Sequence, residues 1–376
     1  MGEQTQKAGN IRKHVPLTEK PVDVRTKPEP EQQYGGRHSG RWVSHLPESW
    51  IPYVQLARLS PPAALALIYF PHLFGALLAA VIRDSPPSHL LRTCAILLPW
   101  SLFFSNSAHA WNDLVDAPLD AAVARTRQRP IPRGAVSIRG AFIFAVSQAL
   151  LGIAVLYFGF AGREGQGSAL YVLPNAFATI YYPYAKRHTN FAQFVLGFCL
   201  AWGVIVGYAA MGLEPFAVEP YLTLSPASRA SWSPALVPEL RISPPAICLA
   251  LACVLWTAIY DTIYAHQDLV DDRRLGLYSL AVLLGDRGTK PALSVLLCGM
   301  LAMLVACATS SGVMGWWPYL IIAPSGCMLS LGCMIFYVNL RDSGSCWWWF
   351  GHGFWTAGFS MAGALAAEYL VHRFLV

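Results

Sequence analysis

The chain has 376 residues, a formal net charge of +6, 55% apolar and only 13% charged side chains, and a mean hydropathy of +0.41. Soluble domains carry about 25% charged residues, so this deficit excludes an ordinary water-soluble fold and identifies lipid as the solvent. The positive charge then reads as loop charge beside membrane spans, with no nucleic-acid partner implied.

Residues 1–50 are polar and lack the apolar run of a signal peptide. Glu3, Glu19, Asp23, Glu29 and Glu31 argue against a mitochondrial leader, which is poor in acid. The expectation is a disordered cytosolic tail over 1–50 and a transmembrane domain over 51–376. With about 20 apolar residues needed per span, the remainder divides into roughly nine segments. They lie near Leu59–Ile82, Leu90–Ala110, Ile138–Phe160, Ala169–Tyr184, Phe191–Gly212, Ala246–Ala265, Pro291–Thr309, Trp317–Asn339 and Trp348–Leu370. An all-α, polytopic membrane helix bundle is the expected fold.

The loops set the orientation. If the tail is cytosolic, the same side receives the loops after the second, fourth, sixth and eighth spans. These carry Arg125, Arg127, Arg129 and Arg133, then Lys186 and Arg187, then Arg273, Arg274, Arg287 and Lys290, then Arg341. The opposite loops are poorer in cations, as the positive-inside bias requires. One of them, Leu213–Ser243, is long and rich in Pro and Ser, and is expected to have no structure beyond one interfacial turn.

Several other side chains have plain expected roles. The tryptophans at 316, 317 and 347–349 suit a headgroup belt at span edges. The lone histidines His72, His109, His188, His266 and His352 are expected to satisfy hydrogen bonds within the bundle, and Glu368 to lie at the interface. Nine scattered cysteines with no C-x-x-C pair give neither a disulfide framework nor a zinc site.

The cytosolic ends of the second and sixth spans carry acids. Asn112, Asp113, Asp116 and Asp120 end the second span, and Asp261, Asp268, Asp271 and Asp272 end the sixth. On a helix Asp113, Asp116 and Asp120 share one face, as do Asp261, Asp268 and Asp272. Pro118 disfavours helix at Ala117, so Asp120 is expected on a turn. Converging carboxylates repel unless a cation holds them, and acids at a span end are costly without partners. Hard oxygen donors suit Mg²⁺, and adjacent guanidiniums suit phosphate. The two clusters are therefore expected to face each other across one Mg²⁺–diphosphate site, where an allylic diphosphate could ionise in a dry, aromatic pocket.

At these motifs the chain resembles the UbiA superfamily of intramembrane prenyltransferases. NDLVDAPLD is similar to its N-D-x-x-D-x-x-x-D motif and ARTRQRPIPRGAV to the R-T-x-x-R-P tail that follows. DTIYAHQDLVDD is similar to the second acidic motif, and YYPYAKRHTNFAQFVLG to the Y-P-x-x-K-R segment. The resemblance runs from about Pro52 to the C-terminus. It implies a nine-helix bundle, Mg²⁺, and transfer of a prenyl group from its diphosphate. By position, Asp113, Asp116, Asp120, Asp261, Asp268 and Asp272 would be the metal-holding and catalytic acids. Asn112, Arg125, Arg129, Lys186 and Arg187 would bind the diphosphate or close the site.

YFPHLFG and WNDLVDAPLD look most like members from fungal meroterpenoid pathways, implying a farnesyl donor and an aromatic or pyrone acceptor. The expected location is the endoplasmic reticulum membrane, with the site facing the cytosol. The chain departs from the family pattern at Ser60-Pro61-Pro62, Ser105, Ala108 and Tyr278, mostly by losing cations. The same ionisation would serve a membrane terpene cyclase, and intramembrane acids also occur in transporters. Against transport, the acids gather at one rim and no internal repeat is evident.

Overall fold

The computed structural model describes residues 42–375, apart from 61, 62, 124, 226–232 and 316. The tail expected over 1–50 therefore lies, through residue 41, outside the described residues. A short helix α1 (Ile51–Leu56) precedes α2 (Ala63–Arg83), α3 (Pro87–Asp120), α4 (Ile138–Gly159), α5 (Val172–Ala185) and α6 (Ala192–Ala210). Two strands, β1 (Phe216–Ser225) and β2 (Ser233–Ile242), separate these from α7 (Pro244–Ala265), the short α8 (Leu269–Leu275), α9 (Leu280–Ser311), α10 (Tyr319–Tyr337) and α11 (Ser343–Leu375). Leaving out α1 and α8, the described residues contain one long helix for each expected span. Six helical segments are long and apolar enough to cross a membrane by length and composition, and the chain is a multi-pass integral membrane protein.

The bundle closes on itself. α3 packs on α2 and α4, α5 on α3 and α6, and α6 on α2 and α7. α9 joins α7 to α10, while α11 packs on α10 and returns to α2 and α7. The outer faces are apolar: Phe142, Ile143, Leu150 and Phe158 of α4, and Leu329 and Phe336 of α10, are exposed. In water this would be a liability; in lipid it is the expected solvent contact. Without a hydrophobic force between helices in lipid, close packing must hold them together, and small residues permit it. The α2–α6 seam shows this. A Cβ on Gly75 would lie 2.0 Å from the Val204 carbonyl oxygen, and one on Gly207 2.0 Å from the His72 carbonyl oxygen. His72 is buried beside this seam with both ring nitrogens used. Nε2 accepts from Trp100 Nε1 at 2.8 Å, so Nδ1 carries the proton and donates to the Ile68 carbonyl at 2.8 Å.

Three expectations are corrected. The stretch after α6 is an antiparallel hairpin, pairing Phe216 with Ile242 and Ser225 with Ser233. Pairing satisfies the backbone of two ten-residue runs that a bare connector would leave to water. Its base is fixed by Phe216 stacked on Trp202 with centroids 6.1 Å apart. Pro118 does not break α3, which stays helical through Asp120. Only the last turn follows it, so little of the hydrogen-bond ladder is lost there. Glu368 is buried, accepting from the Gly315 amide in the loop before α10 at 2.9 Å and from the Tyr319 amide at its start at 3.0 Å.

Candidate active site

Helix geometry brings the motifs together. α3 and α7 both run toward the same end of the bundle, and their acids occupy its rim. Past α3, residues 125–136 form successive turns that fold back over the helix end, with the Thr126 hydroxyl donating to the Asp120 carbonyl at 3.1 Å. That turn aims two guanidiniums inward. Arg129 donates to Asp113 at 3.1 Å and to Asp120 at 2.9 Å. Arg125 reaches across to the other cluster, donating through Nε to Asp268 Oδ1 at 2.8 Å and through Nη2 to Oδ2. It also donates to the Tyr264 hydroxyl at 3.0 Å and lies 5.3 Å from that ring's centroid. Burial by itself lowers the pKa of each guanidinium. For Arg125 the Tyr264 oxygen and Asp268 outweigh it, and for Arg129 Asp113 and Asp120 do, so both are raised and stay charged.

Lys186, at the end of α5, donates to Asp116. Its backbone is held as well, since the Tyr278 amide donates to the Lys186 carbonyl at 2.8 Å. The Leu280 amide likewise donates to Gln193 Oε1 at 3.1 Å. These two bonds tie the loop after α8 to the α5–α6 corner.

A cavity of about 260 Å³ lies between the clusters. Of the expected acids, Asp116, Asp120, Asp261, Asp268 and Asp272 line it. Asn112, Arg125, Arg129 and Lys186 line it too. Asp113 does not; only 1% exposed, it accepts from Arg129 and, at 2.8 Å, from Arg58. Arg187 also lies off the cavity. It donates to the Val115 carbonyl at 2.9 Å and sits 3.9 Å from Asp116 Oδ1. The rest of the lining is largely apolar and aromatic, with Phe104, Tyr182, Tyr260, Tyr264, Trp347 and Phe350.

Arg58 was absent from the expected set. It stands just before the first span in left-handed backbone (φ 53°), lines the cavity, and restores a cation where the sequence pattern had lost one. Its position on the cation-rich side, one segment ahead of α2, was the available signal. Trp347, expected in the headgroup belt, faces the cavity instead.

A divalent cation fits this donor set. Asp116 Oδ1 is buried with no hydrogen-bond partner. Asp261 and Asp272 have no hydrogen-bond or ion-pair partner among the described residues, although both line the cavity. No group of three or more His, Cys, Asp or Glu is already gathered as a metal nest among the described residues. The free oxygens are all carboxylate oxygens, the donors that suit a hard ion whose shell is completed by substrate and water.

The comparisons with known proteins agree with this chemistry. The UbiA prenyltransferase family model matches residues 68–359. The chain is 32% identical over 335 residues to the mitochondrial 4-hydroxybenzoate polyprenyltransferase of Saccharomyces cerevisiae, covering 89% of this chain and 81% of the yeast protein. It is 31% identical over 245 residues to DMOA farnesyltransferase nvfB of Aspergillus novofumigatus, covering 65% and 68%. Among solved structures, a UbiA homolog from Archaeoglobus fulgidus bound to GPP and Mg²⁺ shares the fold, with a TM-score of 0.51 at 14% identity over 81% of this chain and 99% of that one.

Proposed function

The chain belongs to the UbiA prenyltransferase family and is a prenyltransferase; from that premise we propose that it transfers farnesyl from its diphosphate to an aromatic or pyrone polyketide acceptor in meroterpenoid biosynthesis. The observation that carries this reading is one cavity lined jointly by acids of α3 and of α7 and its continuation, by Arg125, Arg129 and Lys186, and by aromatic rings. The donor and acceptor classes are supported by the relatives, one a farnesyltransferase and one acting on 4-hydroxybenzoate.

The residues divide the work by charge. Arg125, Arg129 and Lys186 would bind the diphosphate oxygens, leaving their carboxylate partners as they do so, with Asn112 donating beside them. Arg187, outside the cavity, would close over the rim. Mg²⁺ is the proposed cofactor; Asp116, Asp261 and Asp272 would hold it, joined by Asp120 and Asp268 as their guanidiniums turn to the substrate, and by Asp113 only if Arg58 and Arg129 release it toward the cavity. When bound, the ion would withdraw electron density from the diphosphate and make it a better leaving group. Cations fixed at the departing oxygens favour the charge-separated transition state, because they need no reorganisation when charge develops. The rings of Tyr260, Tyr264, Trp347 and Phe350 would shield the allylic cation from water and present π-faces to it. The proposed membrane is the endoplasmic reticulum, with the cation-rich rim cytosolic.

The test is to incubate membranes carrying the protein with Mg²⁺, geranyl, farnesyl or geranylgeranyl diphosphate, and a panel of phenolic acids and pyrones that includes 4-hydroxybenzoate. Prenylated acceptor made best from farnesyl diphosphate is the expected result. A hydrocarbon or terpene alcohol formed equally well without acceptor would replace this reading with a cyclase.

A further inference from the structure

Of the five histidines expected to serve only bundle hydrogen bonds, one stands apart. His72 uses both nitrogens, as described. His188 pairs with the Tyr181 hydroxyl, His266 with Thr289, and His352 with the Trp348 carbonyl, all away from the cavity. His109 lines it. Its Nδ1 is 2.8 Å from the Ser105 carbonyl oxygen, an acceptor only, so Nδ1 carries the proton. Nε2 is then a lone pair. It has no hydrogen-bond partner among the described residues, yet it is not among the buried orphaned atoms, so it reaches open space.

Its depth matters. His109 is seven residues before Asp116 on the same face of α3, about 10 Å further into the bundle at 1.5 Å per residue. The guanidiniums and most of the carboxylates occupy the rim, where a diphosphate would sit, while Asp261, seven residues before Asp268, lies further into the bundle on α7. With its diphosphate at the rim, the first carbon of a prenyl chain would lie on the inner side, toward the apolar lining. Before Asn112, α3 lines the cavity with Phe104, Ala108 and His109. Among these, His109 alone offers a side-chain proton acceptor.

We infer that His109 is a further catalytic residue, the proton acceptor that completes prenylation of an aromatic carbon; this rests on the aromatic-acceptor reading above. The bond from the prenyl C1 to the diphosphate oxygen breaks, and its electron pair leaves with the diphosphate. A π pair of the acceptor ring then forms the bond to C1, and the ring becomes a cation whose attacking carbon holds both the prenyl group and its original hydrogen. Nε2 takes that proton, the C–H pair returns to the ring, and the imidazolium later releases the proton to water. A cationic ring is a strong acid, so a neutral imidazole suffices as base. What the site must supply is position, and the Ser105 carbonyl fixes both tautomer and ring orientation.

The experiment compares wild type with His109→Gln in membranes, measuring diphosphate release and prenylated acceptor together. The acceptor is the phenolic acid of the panel that wild type prenylates, with and without deuterium at the prenylated ring carbon. The expected result is that product per diphosphate released falls at least tenfold in the variant, with prenyl alcohol making up the difference. A primary isotope effect on product formation should appear in the variant and not in wild type. His109→Ala provides a second variant, in which added imidazole should restore product more than diphosphate release. Parallel loss of both readouts, no isotope effect and no rescue would overturn the inference and leave the proton to the departing diphosphate. Wild-type membranes that prenylate nothing on the panel would instead sink the acceptor reading itself.

Discussion

On α3, Asp113, Asp116 and Asp120 each face a cation, whereas on α7 and its continuation Asp268 alone does so among the described residues. The two acidic motifs read alike as sequence, yet their electrostatic states differ. The α3 acids are neutralised by the protein's own guanidiniums and lysine, so that rim is stable as it stands. Asp261 and Asp272 have no such partner and face a cavity between two helices. The difference assigns one cluster to holding the cations in place and leaves the other waiting for a charge that arrives with the substrate.

Mutations can break this contrast. The largest effect is expected at Asp268, which joins Arg125 of the first motif to the second. Asp268→Ala should cost about a thousandfold in turnover, the scale of losing a preorganised charge contact. Product formation in membranes measures it, and near-normal turnover would dissolve the link between the clusters. Next comes a paired test of stability. Asp113→Ala removes a buried acceptor that Arg58 and Arg129 share, although Arg129 keeps Asp120, and should cost about 1.5–3 kcal/mol, the range for charged hydrogen bonds, read as a fall in thermal melting in detergent. Asp272→Asn removes no such acceptor; its melting should stay near wild type, while the Mg²⁺ concentration for half-maximal activity rises about tenfold. Equal melting losses in the two variants would erase the distinction.

Arg129→Ala should weaken inorganic diphosphate as an inhibitor by about 1.5–3 kcal/mol, the range for charged hydrogen bonds. An unchanged inhibition constant would remove Arg129 from the diphosphate site. The smallest effect belongs to the far rim. Arg83 pairs with Glu164 at 2.7 Å, but both are well exposed at 37% and 53%. Glu164→Gln should leave both melting and turnover near wild type, since solvent screens such pairs.

Much of the architecture was legible because lipid imposes a simple rule. Every backbone polar group in the membrane must be satisfied locally, so apolar runs such as Ile138–Phe160 could only be helices. The clustering of α3 and α7 acids at one end followed from alternating loops and their cations. What stayed hidden depended on side-chain direction. Nothing in the spacing of Asp113 distinguishes it from Asp116, yet one anchors arginines and the other lines the cavity. Arg58 lies outside the motifs, and its left-handed backbone has no sequence signature in an arginine. Pro118 and the 213–243 stretch misled for a shared reason: local propensity was overruled, by an uninterrupted helix end in one case and by strand pairing in the other.

The glycine seam between α2 and α6 has a consequence for traffic through the bilayer. With backbones in near contact at Gly75 and Gly207, that side of the barrel of helices is zipped shut to a hydrocarbon. An isoprenoid tail too long for the chamber must find its gateway to the lipid between some other pair of helices. Widening residues placed along α2 and α6 would loosen the wall without opening a door.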